Sequence, residues 1–68
     1  MDISQVAKIS GLPASTIRYY EEKGLIQSSG RNGLRRQFNA NVIERLALIS
    51  LGVVAGFSLE EIAKMFTP

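Results

Sequence analysis

Apolar positions along this 68-residue chain fall into four runs with helical spacing, interrupted by one stretch whose spacing is that of strands. Ile3, Val6 and Ala7 sit one turn apart, and Asp2 followed three residues later by Gln5 has the form of a capping box. A first helix of about two turns is predicted, ending at Ser10 and Gly11 with Leu12 anchored in the turn. From Pro13 to Leu25 the text PASTIRYYEEKGL predicts a second short helix with two faces. Ile17 and Tyr20 form its inward stripe, whereas Ser15, Thr16, Arg18, Tyr19 and Glu22 lie on the other side of the 3.6-residue repeat. Gly24 stands where helices stop in a left-handed residue, and Leu25 can fold back onto the last turn.

The stretch QSSGRNGLRRQF then changes period. Asn32-Gly33 is a two-residue turn signal, because both positions tolerate positive φ, and Leu34 to Phe38 can return as a short strand. Strand alternation sets Leu34, Arg36 and Phe38 on one side and Arg35 and Gln37 on the other. Asn39 reads as the N-cap of a third helix, with Phe38 and Ile43 as its hydrophobic staple. That helix runs from Val42 to Ala55, stops at Gly56, and is apolar round nearly its whole circumference. A domain of this size cannot enclose such a helix, so a second apolar surface is expected. In the fourth helix Ser58 and Glu61 form a capping box, Phe57 and Ile62 a staple, and Leu59, Ile62, Ala63 and Phe66 an apolar face.

These elements define one domain over residues 1–68, mainly α: four short helices and a small β-hairpin. Helix, Gly-containing turn and helix is the helix-turn-helix arrangement, whose second helix enters the major groove, and a hairpin attached to it is a wing. Composition narrows the chemistry. With no Cys and no His, disulfides, thiolate or imidazole metal ligation and Cys or His catalysis are excluded. The carboxylates of Glu21, Glu22, Glu44, Glu60 and Glu61 fall on helix surfaces or in caps and form no convergent acid/base pair, so no enzyme and no cofactor is expected. No apolar run is long enough to span a membrane and no signal-peptide layout opens the chain, so a cytoplasmic protein is expected.

The net charge is only +2, but it is unevenly placed. Between Pro13 and Phe38, Arg18, Lys23, Arg31, Arg35 and Arg36 face only Glu21 and Glu22, giving +3, while the remainder of the chain carries −1. All the net positive charge thus lies on the second helix and the hairpin, the footprint of a polyanion binder. A guanidinium beside a phenol, with Ser15 and Thr16 in the first turn, suits phosphate and base edges, and Arg31 with Arg35 or Arg36 is free to meet a backbone.

Taken together, ISQVAKISGLPASTIRYYEEKGLI, the hairpin text NGLRRQF and GFSLEEI resemble the DNA-binding domain of the MerR family of bacterial transcription regulators over the whole chain. The resemblance implies a winged helix-turn-helix whose dimer binds and distorts a pseudo-palindromic promoter, bringing an overlong spacer into register for RNA polymerase. It implies that Arg18 and Tyr19 touch the backbone in the major groove, with Ser15 and Thr16 near bases or phosphates. Arg31, Arg35 and Arg36 would touch flanking phosphates or the minor groove. The sequence departs from the family pattern at Pro13, where a capping Ser or Thr is common, and in a hairpin one residue longer. The family's long dimerisation helix and effector region are not within residues 1–68, so the resemblance implies a homodimer formed through a segment outside them. Two other readings are an excisionase-type architectural DNA-binding protein and a helical protein-interaction module using the third helix.

Overall fold

The computed structural model describes residues 1–32 and 35–66, with the backbone alone at residues 31, 32, 35 and 36. Its elements are α1 (Ile3–Ser10), α2 (Ala14–Glu22), β1 (Gly30–Asn32), β2 (Arg35–Gln37), α3 (Asn41–Val54) and α4 (Leu59–Phe66). No helix among the described residues is long and apolar enough to cross a membrane.

Both capping boxes are present. At α1 the Asp2 carboxylate accepts from the Gln5 backbone N–H at 2.9 Å, and the Asp2 N–H donates to the Gln5 side-chain oxygen at 2.9 Å. At α4 the Glu61 N–H donates to the Ser58 hydroxyl at 3.1 Å, and the Ser58 N–H to Glu61 Oε1 at 3.0 Å. Each box gives partners to backbone donors that a helix start leaves open. The ends of α2 and α3 are closed by backbone instead. Gly24, at φ 79°, lets the Leu25 N–H reach the Tyr20 carbonyl at 2.9 Å. Gly56, at φ 97°, does the same for the Phe57 N–H and the Gly52 carbonyl. This is the Schellman closure, and it folds Leu25 into the core.

Two local expectations change. Asn39 does not cap α3 with its side chain: Ala40 holds the cap position in helical geometry with no side-chain bond, and Asn39 contributes its carbonyl to the Val42 N–H at 3.0 Å. At the start of α4 Ile62 is buried and Phe57 is 43% exposed. The antiparallel pairing Gly30↔Gln37, Arg31↔Arg36 and Asn32↔Arg35 puts Asn32 on the ladder and not in the two-residue turn. Gly33 and Leu34, and the alternation of the arginine side chains, lie outside the described residues.

The N-terminus joins this pair: the Met1 ammonium donates to the Phe38 carbonyl at 2.9 Å, the Phe38 N–H donates to the Met1 carbonyl at 2.6 Å, and Asp2 bridges Gln37. The base of this strand pair is therefore fixed to the start of α1. One core holds the elements together, drawn from Val6, Ile17, Leu25, Ile26, Phe38, Val42, Leu46, Ile49 and Ile62. Each such side chain contributes roughly 1.5–3 kcal/mol by leaving water, and each of the four helices supplies at least one of the nine. α3 passes through the centre with Val42, Leu46 and Ile49 inward, and α4 packs on it at Gly52, where a Cβ would lie 2.9 Å from Ile62 Cδ1. Its other side is open to solvent: Leu48, Leu51, Val53 and Val54 are 46–85% exposed.

Candidate nucleic-acid interface

The second helix presents two chemically distinct sides. Ile17 is fully buried and Tyr20 packs against the core, whereas Ser15 and Arg18 are exposed and Tyr19 is 45% exposed. Thr16 is half-buried, its N–H tied to the Pro13 carbonyl at 3.0 Å. The 3.6-residue phase read from the sequence is the phase the helix adopts. α1 and the turn 11–13 support α2 from behind: Gly11, at φ 76°, closes α1, and the Leu12 N–H donates to the Ser10 hydroxyl at 3.2 Å while Leu12 packs on the core.

Around Tyr19 the structure assembles more than the sequence suggested. Its ring sits 6.3 Å from that of Tyr20 at 49°, and Lys23 Nζ lies 5.5 Å from the Tyr19 ring centroid, a cation–π contact one turn along the same face. The i to i+4 spacing of Tyr19 and Lys23 is the signal that could have found this pair. Tyr19 and Lys23 also form one wall of an open cleft of about 550 Å³ whose other wall is the start of α4, with Ser58, Leu59 and Glu60. Nothing in the sequence joins those segments; the packing of α4 does. Arg31 and Arg35 stand on the paired strands, Arg31 opposite Arg36. The side chains of all three arginines lie outside the described residues.

A helix-turn-helix whose second helix turns a polar, basic and aromatic face to solvent is the arrangement that DNA-binding helix-turn-helix proteins use. Residues 1–67 match the MerR HTH family of regulatory proteins, and the chain belongs to that family. It is 41% identical over 68 residues to an uncharacterized HTH-type transcriptional regulator of Pseudomonas aeruginosa, across 98% of this chain and 52% of the relative. It is 44% identical over 63 residues to the HTH-type transcriptional regulator CueR of Escherichia coli O157:H7, across 90% and 46%. Among solved structures it superposes with TM-score 0.82 and 28% identity on HiNmlR, a MerR family regulator lacking the sensor domain and bound to promoter DNA, across 94% of this chain and 52% of that one. The lead(II) complex of PbrR691 from Ralstonia metallidurans gives TM-score 0.84 at 26% identity. The chain thus spans about half the length of the curated relatives it matches, which are transcriptional regulators.

Proposed function

We propose that this domain binds double-stranded promoter DNA in a sequence-specific manner, with α2 in the major groove and the β1–β2 pair as a wing along the flanking backbone. One observation carries the reading: Arg18 and Tyr19 stand exposed side by side on the face of α2 opposite buried Ile17. In this reading Arg18 and Tyr19 contact phosphates, Ser15 and Thr16 meet bases or phosphates from the first turn, and Arg31, Arg35 and Arg36 serve the flanking backbone. The domain acts in the cytoplasm as part of a homodimer paired through a segment outside residues 1–68, which distorts the promoter for RNA polymerase. The exposed side of α3 offers apolar surface that a second chain can cover.

Salt titration tests the interface. Each neutralised phosphate contributes a slope near −0.9 to log K against log salt, so Arg18→Ala is expected to reduce the slope of duplex binding by about one unit. A slope that stays at the wild-type value in a folded Arg18→Ala protein removes this face from the DNA.

A further inference from the structure

Away from the α2 face, a second cleft of about 320 Å³ opens at the base of the β1–β2 pair, between the segment entering β1 and the first turns of α3. Buried Ile26 and Val42 form its floor. Gln27, Ser28, Ser29, Asn39 and Asn41 line its walls, and among the described residues Arg45 is the only ionised group that lines it. No acidic residue is among the described lining residues. The Ser29 hydroxyl already donates to the Gln37 carbonyl at 3.2 Å, so the donors left are the three amides, the Ser28 hydroxyl and the guanidinium.

Arg45 is held in an unusual way for a half-buried arginine. Its Cζ lies 4.4 Å from the centroid of the Phe66 ring, so among the described residues its partner is an aromatic face and not a carboxylate. An aromatic face offers no acceptor to the five N–H groups of a guanidinium, which therefore keep their capacity to donate. A guanidinium fork resting on an aromatic ring beside neutral donors, with no carboxylate among the described lining residues, can bind an oxyanion in a bidentate manner.

We propose that this cleft is an oxyanion subsite that takes a phosphate group, with the Arg45 fork on two oxygens and Asn39, Asn41 and Ser28 donating from other sides. Donors on several sides suit a tetrahedral group better than a flat carboxylate. The phosphate has two sources, a free phosphate ion or a phosphodiester of DNA lying along the base of the strand pair. Only the second source rests on the proposed function above.

The test is a series of amide and arginine Nε correlation spectra of the chain during addition of inorganic phosphate, with sodium chloride at matched ionic strength as control. Saturable shifts are expected at Ser28, Asn41 and the Arg45 Nε–H, and Arg45→Gln is expected to weaken them about tenfold or more, the loss of a charge-assisted hydrogen bond. Because Arg45→Gln also removes the Phe66 contact, Asn41→Ala serves as the second variant, with a weakening of a few fold. Shifts no larger than those of the chloride control, or phosphate binding unchanged in both folded variants, would overturn the subsite. In the duplex arm, a salt slope reduced by about one unit in Arg45→Gln assigns the phosphate to DNA. A slope that holds while the free-phosphate shifts disappear assigns the subsite to a free anion. Failure of the α2 reading is seen separately, since Arg18→Ala leaves the phosphate titration of this cleft intact whichever way it affects DNA.

Discussion

α2 and α4 differ by one residue in length, nine against eight, yet they are stabilised by different means. α4 carries its own instructions: a complete capping box, Glu60 and Glu61 in the first turn, Lys64 in the last, and an apolar face of Leu59, Ile62, Ala63 and Phe66. Each of these agrees with the helix dipole or with the core. α2 has almost none of them. It starts at Pro13 without a side-chain cap, has no acid in its first turn and no base in its last, where Glu21 and Glu22 oppose the dipole. What holds it is one fully buried residue, Ile17, the flank of Tyr20, and a backbone closure at Gly24 that seats Leu25. The helix with the exposed basic and aromatic face is thus the one that relies on the core for its form. Its polar side chains are left unengaged by capping, which fits a surface that meets a ligand.

If that contrast is right, the largest effect belongs to the seat of α2. Ile17→Ala is expected to cost about 3 kcal/mol, a buried aliphatic truncation in a small core, and to lower Tm by more than 10 °C at about 4 °C or more per kcal/mol. Tyr19→Ala, two residues along and outward, is expected to leave Tm nearly unmoved while weakening duplex binding. Equal melting losses in the two variants would break the comparison, because α2 would then have no free face.

A second substitution disturbs the seat of α4 without touching its cap. At Gly52 alanine gains up to about 1 kcal/mol of helix propensity, but its Cβ would meet Ile62 Cδ1 at 2.9 Å and Cγ1 at 3.0 Å. Ile62 is β-branched and buried, so it has little room to swing aside, and overpacking costs about 1–3 kcal/mol. A net loss of about 1 kcal/mol by thermal melting is expected. A stabilised Gly52→Ala protein would show that α4 shifts freely on α3.

The smallest effect concerns the cap itself. The Glu61 carboxyl is held below the ordinary glutamate range, first by the Ser58 backbone N–H and then by the Ser58 hydroxyl. A carboxyl with a depressed folded-state pKa adds stability above its unfolded value and loses it as pH falls through the folded one. Wild type should therefore melt slightly above Glu61→Gln at neutral pH, and the gap should close below the usual glutamate range. A gap that stays constant into acid would mean that the charge of Glu61 has no part in the cap. α1 makes its box with the uncharged Gln5 and provides the internal comparison.

Much of the fold was legible because the signals were local. The two capping boxes, the glycines that end α1, α2 and α3, and the phase that separates Ile17 and Tyr20 from Arg18 and Tyr19 all act within one or two turns. The apolar circumference of α3 likewise announced a face that the core leaves open, seen in Leu48, Leu51 and Val54. The misses lie where a local signal competes with packing. Asn39 is a good cap by preference, but with Phe38 buried and tied to Met1 the chain enters α3 one residue later. Asn32-Gly33 is a good turn by preference, but the ladder takes Asn32.

The sequence by itself determined which segments become helices, where most of them stop, and which side of α2 carries the arginine and the exposed tyrosine. Those outcomes follow from φ preferences, hydrogen bonds over three or four residues, and the 3.6-residue period. Tertiary structure alone decided which distant groups meet: Lys23 and Tyr19 across a cleft from Ser58, Arg45 against Phe66, and the N-terminus alongside β2. Those meetings depend on how four helices share one small core, and no spacing within the chain encodes a distance between residues that only packing brings together.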